Sequence, residues 1–278
     1  MSRQDRMQNV TLESGIVIRP LETHAERTAA VLLQDETWGR DFSEKIPAIM
    51  MLVAEKTGGV AAGAFGRDGA LLGLVFGITG VRDGDLIHWS DLLAVHPAAR
   101  GQHLGEALKR YQRERCRDVG VQRMHWTYDP FVALNAHLNL NVLGARVVEF
   151  VPDMYGTETR SRLHGSLGTD RFVVAWPVQA APVPLPADQA RLVGAPVVGG
   201  SLADCPSDML LPQAPVVTVR VPHDYSTVLA GDLERARAWR VSARRAFQHY
   251  LSSGYEVSAF VPGDGADASY VLSRSRTT

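Results

Sequence analysis

Cysteine is scarce in this sequence, and the common motifs of metal and serine chemistry are missing. Its 278 residues include two cysteines, Cys116 and Cys205, with no Cys-x-x-Cys pair, which excludes a disulfide framework and a cysteine zinc site. The histidines show no metal-ligand spacing such as His-Glu-x-x-His, so we assign no metal. No Gly-x-Ser-x-Gly elbow occurs, so a serine nucleophile is not indicated.

Long apolar runs and strong charge are absent as well. No stretch of about 18 uninterrupted apolar residues exists, so we expect no membrane span. Residues 1–8 contain no apolar stretch after their charges, so we expect no secretory signal and a cytoplasmic protein. A net charge of −1 gives no electrostatic reason to expect nucleic acid or a membrane surface as a partner.

The most informative stretch is 88–105, where a strand, a basic glycine-containing loop and a helix follow one another. The pattern predicts a strand over 86–95, a loop over 100–105 and a helix from 104 to about 119. A loop at a helix start presents free backbone N–H groups and the positive end of the helix dipole, which suit a phosphate. Gly101 and Gly105 permit close ligand approach, and Arg100 adds a forked donor. The alternative is a surface loop before an ordinary helix.

The spacing within this loop distinguishes between kinds of phosphate site. Neither the Gly-x-x-x-x-Gly-Lys-Ser/Thr loop of nucleotide triphosphate sites nor the Gly-x-Gly-x-x-Gly loop of dinucleotide sites occurs here. The loop resembles the Arg/Gln-x-x-Gly-x-Gly/Ala signature of the GNAT superfamily of acyl-CoA N-acyltransferases, and it is preceded by Val95-x-Pro97 as in that family. Its six residues are Arg100, Gly101, Gln102, His103, Leu104 and Gly105. His103 stands where the family usually has its middle glycine.

The order of predicted elements extends this resemblance over residues 10–176. The periodicity predicts a first strand over 10–20, two helices, antiparallel strands, the loop with its helix, then a strand, a helix over 131–143 and two strands. We therefore predict an α/β (α+β) fold of GNAT type, with a mixed, mostly antiparallel sheet and flanking helices. On the helix after the loop, the predicted inward residues are Leu104, Leu108, Tyr111 and Cys116, and the predicted water-facing ones are Lys109, Arg110, Arg113 and Glu114.

The chain changes character after a predicted first domain, 1–176. Residues 177–215 hold eight of the fifteen prolines, which predicts a proline-rich linker. Residues 216–278 predict a small α/β extension, which is too short for independent folding and should dock on the first domain. Further motifs are similar to those of a bacterial GNAT subgroup with a C-terminal extension, and they lie at 126–130, 135–139, 143–145, 155–156, 170–172, 238–240 and 254–255.

The resemblance implies acetyl-CoA or another acyl-CoA as co-substrate, with a small-molecule amine as the acceptor. In the family, acyl-CoA lies where the central strand separates from the next strand. The implied pantetheine contacts are then the backbone near Leu93 and Val95, and the implied pyrophosphate site is the six-residue loop. Asn135 or Asn139 is implied to contact the cofactor. The sequence leaves a homodimer open.

Acyl transfer to an amine needs a neutral amine, a polarised carbonyl and a proton for the leaving thiolate. The tyrosine that supplies this proton in many family members aligns with Leu140, so the usual donor is missing. We predict that Tyr155 replaces it, with Tyr128 and His137 as alternatives. Alternatively, Tyr155 has a purely structural role, and its side chain packs against the 152–170 loop.

The base is predicted to lie on one of the two separating strands. His88 is the first candidate because the ordinary pKa of histidine is close to neutral. Asp129 is the second, and Asp91 is another carboxylate in this region. Each of the three also has a structural explanation, as a hydrogen-bonded residue of a half-buried strand.

The subgroup is associated with N-acylation of amino acids, including succinyl transfer. A carboxylate beside the amine calls for a forked cation, and Arg171 is the predicted candidate, with Arg160 or Arg162 as second choices. Alternatively, Arg171 pairs with Asp170 or Asp153 and pins the loop. Two other functions stay open: a protein N-acetyltransferase, and a non-catalytic acyl-CoA sensor that needs no proton donor.

Overall fold

The architecture is that of a computed structural model that describes residues 9–40, 42–156, 167–188, 195–198, 211–263 and 267–274. The chain divides into two compact units. Described residues of the first unit lie within Met1–Trp126 and Trp176–Ala181, and those of the second lie within Thr127–Thr159, Ser166–Ala175 and Pro182–Thr278. The predicted division of the chain at residues 176 and 215 stays a prediction.

Strands of the first unit hydrogen-bond in the order β1-β2-β3-β4-β5-β6. Neighbouring strands are antiparallel, except that β5 and β6 run parallel. The strands are β1 (Val10–Thr11), β2 (Val17–Pro20), β3 (Val60–Phe65), β4 (Leu71–Arg82), β5 (Asp85–Val95) and β6 (Arg123–Tyr128).

Helices of the first unit flank this sheet. They are α1 (His24–Trp38), α2 (Ala48–Lys56) and α3 (Leu104–Asp118). α1 begins at a capping box in which the Thr23 side chain accepts from the Glu26 N–H and the Glu26 carboxylate accepts from the Thr23 N–H, each at 3.1 Å. Leu33 of α1 and Met51 of α2 pack into a core with Leu92 of β5. The predicted fold class, a mixed and mostly antiparallel sheet with flanking helices, is confirmed.

The second unit contains the antiparallel pair β7 (Arg146–Val151) and β8 (Arg171–Pro177), the short helix α4 (Ala133–Ala136), and a π-helical turn, His137–Val142. A further sheet has the order β11-β12-β10-β9. Its strands and helices are β9 (Val197–Val198), β10 (Val216–Val221), α5 (Tyr225–Gly231), α6 (Leu233–Ser252), β11 (Tyr255–Val261) and β12 (Ala268–Arg274). The predicted α/β character of the extension is thereby confirmed.

Aromatic rings fill the core of the second unit around Phe172, which is fully buried. Ring centroids of Phe247 in α6 and Tyr270 in β12 lie 4.7 and 5.3 Å from that of Phe172, and Phe150 of β7 lies 5.6 Å away. Edge-to-face contacts at these distances add to the free energy gained by burying the rings. Residues of the extension therefore share one core with β7 and β8.

Several local predictions are corrected. The predicted first strand is two strands, because the chain turns at Gly15, where φ is +85°. The helix predicted over 131–143 is α-helical only in α4 and then widens into the π-helical turn. Helix α5 was not predicted, and β9 lies in the segment interpreted as a linker.

Neither a membrane-spanning helix nor a metal cluster occurs among the described residues. None of their helices is long and apolar enough to cross a membrane. They contain no group of three or more histidine, cysteine, aspartate or glutamate side chains placed to hold a metal ion. Cys116 is buried, as its position on α3 predicted.

Candidate functional site

β5 and β6 separate after a short parallel pairing. The two strands pair at three positions, of which the last is Trp89 with His125. β5 continues beyond this pair to Val95. Ser90 and Trp126 are thus the first residues past the pairing, and we call the place where they diverge the strand apex.

A β-bulge lies beside the strand apex. In the pairing of β4 with β5, Gly77 faces Ser90 and Phe76 faces Leu92, so Asp91 is the extra residue. One inserted residue reverses the face to which the following side chains point. Asp91 itself is exposed, whereas Leu92 points into the core beneath α1 and α2.

The bulge turns Leu93 and Val95, the two predicted pantetheine contacts, toward α3. A Cβ atom placed on Gly105 would lie 3.7 Å from Leu93 Cδ2 and 3.9 Å from Val95 Cγ2. Leu93 and Val95 are both half-buried. The fold therefore brings both predicted contacts to the glycine at the start of α3.

The predicted phosphate loop has left-handed backbone at two residues. Gly101 has φ +78°, and His103 has φ +54° and ψ +19°. Arg100, Gln102 and His103 are exposed, while the Leu104 side chain is buried and leaves only its backbone to a ligand. His103 is the N-cap of α3 but makes no side-chain capping bond, so the backbone N–H groups of the first turn are presented.

His103 therefore occupies a left-handed position and is exposed. Replacing His103 with valine is expected to lower the free energy of unfolding by about 1–2 kcal/mol, because a β-branched residue is strained there. Glycine should change it by less than about 1 kcal/mol, since relief of strain and unfolded-state entropy oppose each other. Urea denaturation of both variants checks this, and equal stabilities would contradict the assigned conformation.

A chain of buried polar side chains runs between α3 and β5. Lys109 Nζ donates to Ser90 Oγ at 2.7 Å, and Ser90 Oγ donates to Gln112 Oε1 at 2.7 Å. Gln112 Nε2 lies 3.0 Å from His88 Nε2. Each of the four side chains belongs to a residue that is no more than 3% exposed. Burial on this scale requires the polar groups to satisfy one another, as they do.

The donor directions define the state of His88. Its Nδ1 lies 2.9 Å from Thr79 Oγ1, which donates to the Gly58 carbonyl at 2.8 Å. Because Thr79 has given its only proton to Gly58 and Gln112 donates through its amide nitrogen, His88 must donate through Nδ1 and accept through Nε2. The imidazole is therefore neutral.

This environment disfavours the predicted role of His88 as the base. Burial, followed by the charge of Lys109, lowers the pKa of His88 to about 3. A base for an amine at neutral pH needs a pKa closer to 7 and access to the substrate. His88 instead completes a buried hydrogen-bond chain, which agrees with the alternative that it is a hydrogen-bonded residue of the strand.

Sequence reasoning missed Lys109 and Gln112, and the prediction that Lys109 and Arg113 face water is wrong. Lys109 is 3% exposed, and Arg113 is 7% exposed and donates to the Pro177 and Ala180 carbonyls at 2.9 and 2.6 Å. Helical spacing could have shown that Lys109 and Gln112 point inward. Gly105, Lys109, Gln112 and Cys116 recur every three or four residues, so they share one face of α3.

In the second unit, Asp129 lies between two arginines, and we call Asp129, Arg171 and Arg240 the Asp129 cluster. Asp129 Oδ2 accepts from Arg240 Nη2 at 2.9 Å and lies 3.6 Å from Arg171 Nη1. Its Oδ1 accepts from the Phe131 N–H at 2.9 Å. The three cluster side chains are at most 8% exposed. A carboxylate held on both oxygens does not fit the predicted role of second-choice base.

Arg171 lies beside Tyr155, so these two predicted residues are brought together. The Arg171 guanidinium carbon is 5.3 Å from the centroid of the Tyr155 ring, and Nη1 donates to the Asp170 carbonyl at 3.0 Å. Tyr155 is 42% exposed, and its hydroxyl lies 2.9 Å from Thr127 Oγ1. Tyr155 thus presents an accessible phenol next to a buried guanidinium.

Arg244 of α6 binds the carboxylates of Asp153 and Asp170, which the sequence had offered as alternative partners of Arg171. The sequence had not singled out Arg244. Its Nε donates to Asp170 Oδ2 at 3.0 Å, and its Nη2 donates to Asp170 Oδ1 at 2.6 Å and to Asp153 Oδ1 at 2.9 Å. The extension therefore holds Asp153 and Asp170 through Arg244, and Arg171 pairs with Asp129. Arg160 and Arg162 lie outside the described residues.

The remaining predicted residues are placed as follows. Asn135 is exposed on α4, whereas Asn139 is 4% exposed within the π-helical turn. Leu140 is fully buried. Of the alternative proton donors, Tyr128 is buried and burial raises its pKa above the ordinary range, which makes it a poor acid, and His137 is half-buried. The roles of Asn135 and Asn139 stay predictions.

No family model and no curated protein matches the sequence. Among solved structures, it is similar to the ribosomal-protein-S18-alanine N-acetyltransferase from Escherichia coli, with 19% identity over 62% of this chain and 99% of that one, at a TM-score of 0.44. It is also similar to a GNAT superfamily phosphinothricin acetyltransferase from Sinorhizobium meliloti in complex with acetyl-CoA, with 16% identity over 60% and 93% of the chains, at a TM-score of 0.46. A third is aminoglycoside 6'-acetyltransferase type Ii, at 16% identity over 62% and 99%, with a TM-score of 0.44. Likenesses of this size do not indicate a substrate.

Proposed function

We propose that this protein is an acyl-CoA-dependent N-acyltransferase that acts on a small-molecule amine. The observation that carries the proposal lies in the first unit, where β5 leaves β6 at the strand apex and leads into a left-handed loop and the uncapped N-terminus of α3. The loop supplies an anion site, and the part of β5 beyond its pairing with β6 offers backbone groups on that side to an extended ligand. Coenzyme A combines a pyrophosphate with an extended, amide-containing arm, so both features are used.

The residues of the first unit fit this co-substrate. Arg100 and the backbone N–H groups from Gly101 to Gly105 would hold the pyrophosphate. The backbone of Leu93 and Val95 would pair with the pantetheine amides, and the missing side chain of Gly105 leaves space beside them. Acyl-CoA supplies the activated thioester carbonyl, and the protein binds it, orients it and manages the protons.

The acceptor is proposed to be an amine that also carries a carboxylate, such as an amino acid. The Asp129 cluster combines one carboxylate with two guanidinium groups, so its three side chains together carry a net charge of +1. Arg171 is the member that lies beside the exposed Tyr155. A guanidinium is the cation whose forked geometry best suits a substrate carboxylate. Acetyl and succinyl groups are the acyl groups to test.

Release of free thiol from acetyl-CoA and succinyl-CoA tests the function. The amines would be free amino acids, their methyl esters, polyamines, aminoglycosides and lysine peptides. Free amino acids are expected to react, and their esters to react poorly. Reaction of lysine peptides alone would identify a protein N-acetyltransferase. Tight CoA binding without thiol release from any amine would identify a sensor.

Replacing Arg171 with lysine is expected to raise the Michaelis constant of the acceptor by about tenfold or more, with a smaller change in turnover. Lysine keeps the charge beside Asp129 but loses the forked geometry, so a contact made in both ground and transition states is weakened. Steady-state kinetics measures the Michaelis constant and the turnover separately. Arg237→Lys is the matched control, because the Arg237 side chain is 56% exposed. An unchanged Michaelis constant for a reactive amino acid would remove Arg171 from acceptor binding.

A further inference from the structure

Lys109 reaches the strand apex from α3. Its Nζ donates to Ser90 Oγ at 2.7 Å and lies 4.0 Å from the centroid of the Trp126 ring. Ser90 and Trp126 are the first residues past the last β5–β6 pair, so one ammonium group contacts both diverging strands. A lysine in this position is costly to bury unless it is held by such contacts.

We infer that Lys109 is the catalytic proton donor to the thiolate of coenzyme A, an inference that rests on the proposed acyltransferase function. The proposed pyrophosphate site lies at the end of β5, and Leu93 and Val95 on the α3 side mark the path of the pantetheine arm. A strand rises about 3.3 Å per residue, so Ser90 lies roughly 10 Å beyond Leu93 along that path. The thioester, which ends the arm, would then lie beside Ser90 and Lys109.

The acidity of Lys109 suits the transfer. Burial is the main cause that lowers the pKa of Lys109 to about 7, and the Asp91 carboxylate opposes this shift. The nearby Cys116 thiol is neutral, because burial raises its own pKa. His88 also faces Lys109 and is neutral. A simple thiol has a pKa of about 8.5, so an ammonium of lower pKa gives its proton to a thiolate favourably.

The transfer balances as follows. The neutral acceptor nitrogen forms a C–N bond with the acyl carbon, and the C–S bond breaks with its electron pair on sulfur. A proton moves from Lys109 Nζ to that sulfur, which leaves as the thiol. The surplus proton on the acceptor nitrogen goes to water, and Lys109 regains a proton from water after coenzyme A departs.

The hydrogen-bond chain orients the lysine. Ser90 donates to Gln112, so its oxygen offers a lone pair to Lys109, and Gln112 is itself held by His88. Ser90 takes one of the three ammonium protons and thereby fixes the position of Nζ. Ser90, Gln112 and His88 are accordingly positioning residues.

The test compares Lys109→Met, Lys109→Arg and Tyr155→Phe with the wild-type protein. Methionine preserves most of the side-chain volume, and arginine keeps the charge but does not titrate near neutrality. Calorimetry measures CoA affinity, thermal unfolding reports on folding, and thiol release with a reactive amine gives turnover from pH 5.5 to 9.5. Wild-type turnover should fall as pH rises through about 7, because the donor must be protonated.

Lys109→Met is expected to lower turnover by about 10²-fold or more and to abolish the alkaline decline, with CoA affinity within a few-fold of wild type. If Lys109→Met does not fold, Lys109→Arg decides, and it should also lose turnover and the decline near pH 7. Wild-type-like turnover in a folded Lys109 variant overturns the inference and leaves the acyltransferase intact. Loss of the alkaline limb in Tyr155→Phe also overturns it. CoA binding without thiol release by the wild-type protein refutes the proposed function, and the inference with it.

Discussion

Replacing Asp129 with asparagine is expected to lower the free energy of unfolding by about 3–5 kcal/mol. Asp129 is the shared partner of Arg171 and Arg240, and all three side chains are at most 8% exposed. Asparagine has nearly the same shape but no charge, so two guanidinium groups would lose their common counter-charge. The cost comes from leaving buried charge uncompensated, and it exceeds the net contribution of the pairs themselves.

Chemical denaturation at neutral pH measures this effect. Asp83→Asn is the matched control, because the Asp83 side chain is 92% exposed and lies 3.6 Å from the exposed Arg82. That substitution should change stability by less than about 0.5 kcal/mol. A stability loss below about 1 kcal/mol for Asp129→Asn, together with a large loss of turnover, would return Asp129 to the catalytic role that the sequence predicted.

Local patterns predicted most of the fold. Thr23 and Glu26 are three residues apart, so their capping box is readable in sequence, and the strand at Val216–Val221 follows from its valine-rich sequence. The bulge at Asp91 is different, because it exists only through the register of β5 against Gly77 and Phe76 of β4. No pattern within β5 alone distinguishes Asp91 from the residues beside it.

In the site as well, features set by neighbouring residues could be predicted, and features set by distant partners could not. The loop from Arg100 to Gly105 is local, so its glycines and its arginine can be read from six consecutive positions. The roles of His88 and Asp129 depend on partners that are 24 and 111 residues away, Gln112 and Arg240. Residue type suggested titrating bases, whereas those distant partners give both residues buried hydrogen bonds that no sequence pattern shows.

Replacing Gly105 with valine is expected to weaken CoA binding by about 10- to 100-fold, because a side chain would enter the space between the first turn of α3 and the loop ligand. The position itself accepts a side chain. A Cβ atom there would meet Leu93 and Val95 only at 3.7 and 3.9 Å, which are ordinary contacts. Glycine and valine also differ little in helix propensity, so the free energy of unfolding should change by less than about 1 kcal/mol.

Gly120, the glycine just past the other end of α3, provides the opposite control. Its φ is +86° and a Cβ atom there would meet nothing within 4 Å, so only backbone strain resists a side chain. Gly120→Val should therefore lower stability by about 1 kcal/mol or more and leave CoA affinity unchanged. Calorimetry and urea denaturation of the two variants should show opposite patterns. If folded Gly105→Val binds CoA as tightly as the wild-type protein, the loop is not the pyrophosphate site, because a backbone cradle cannot tolerate a branched side chain at its closest point of approach.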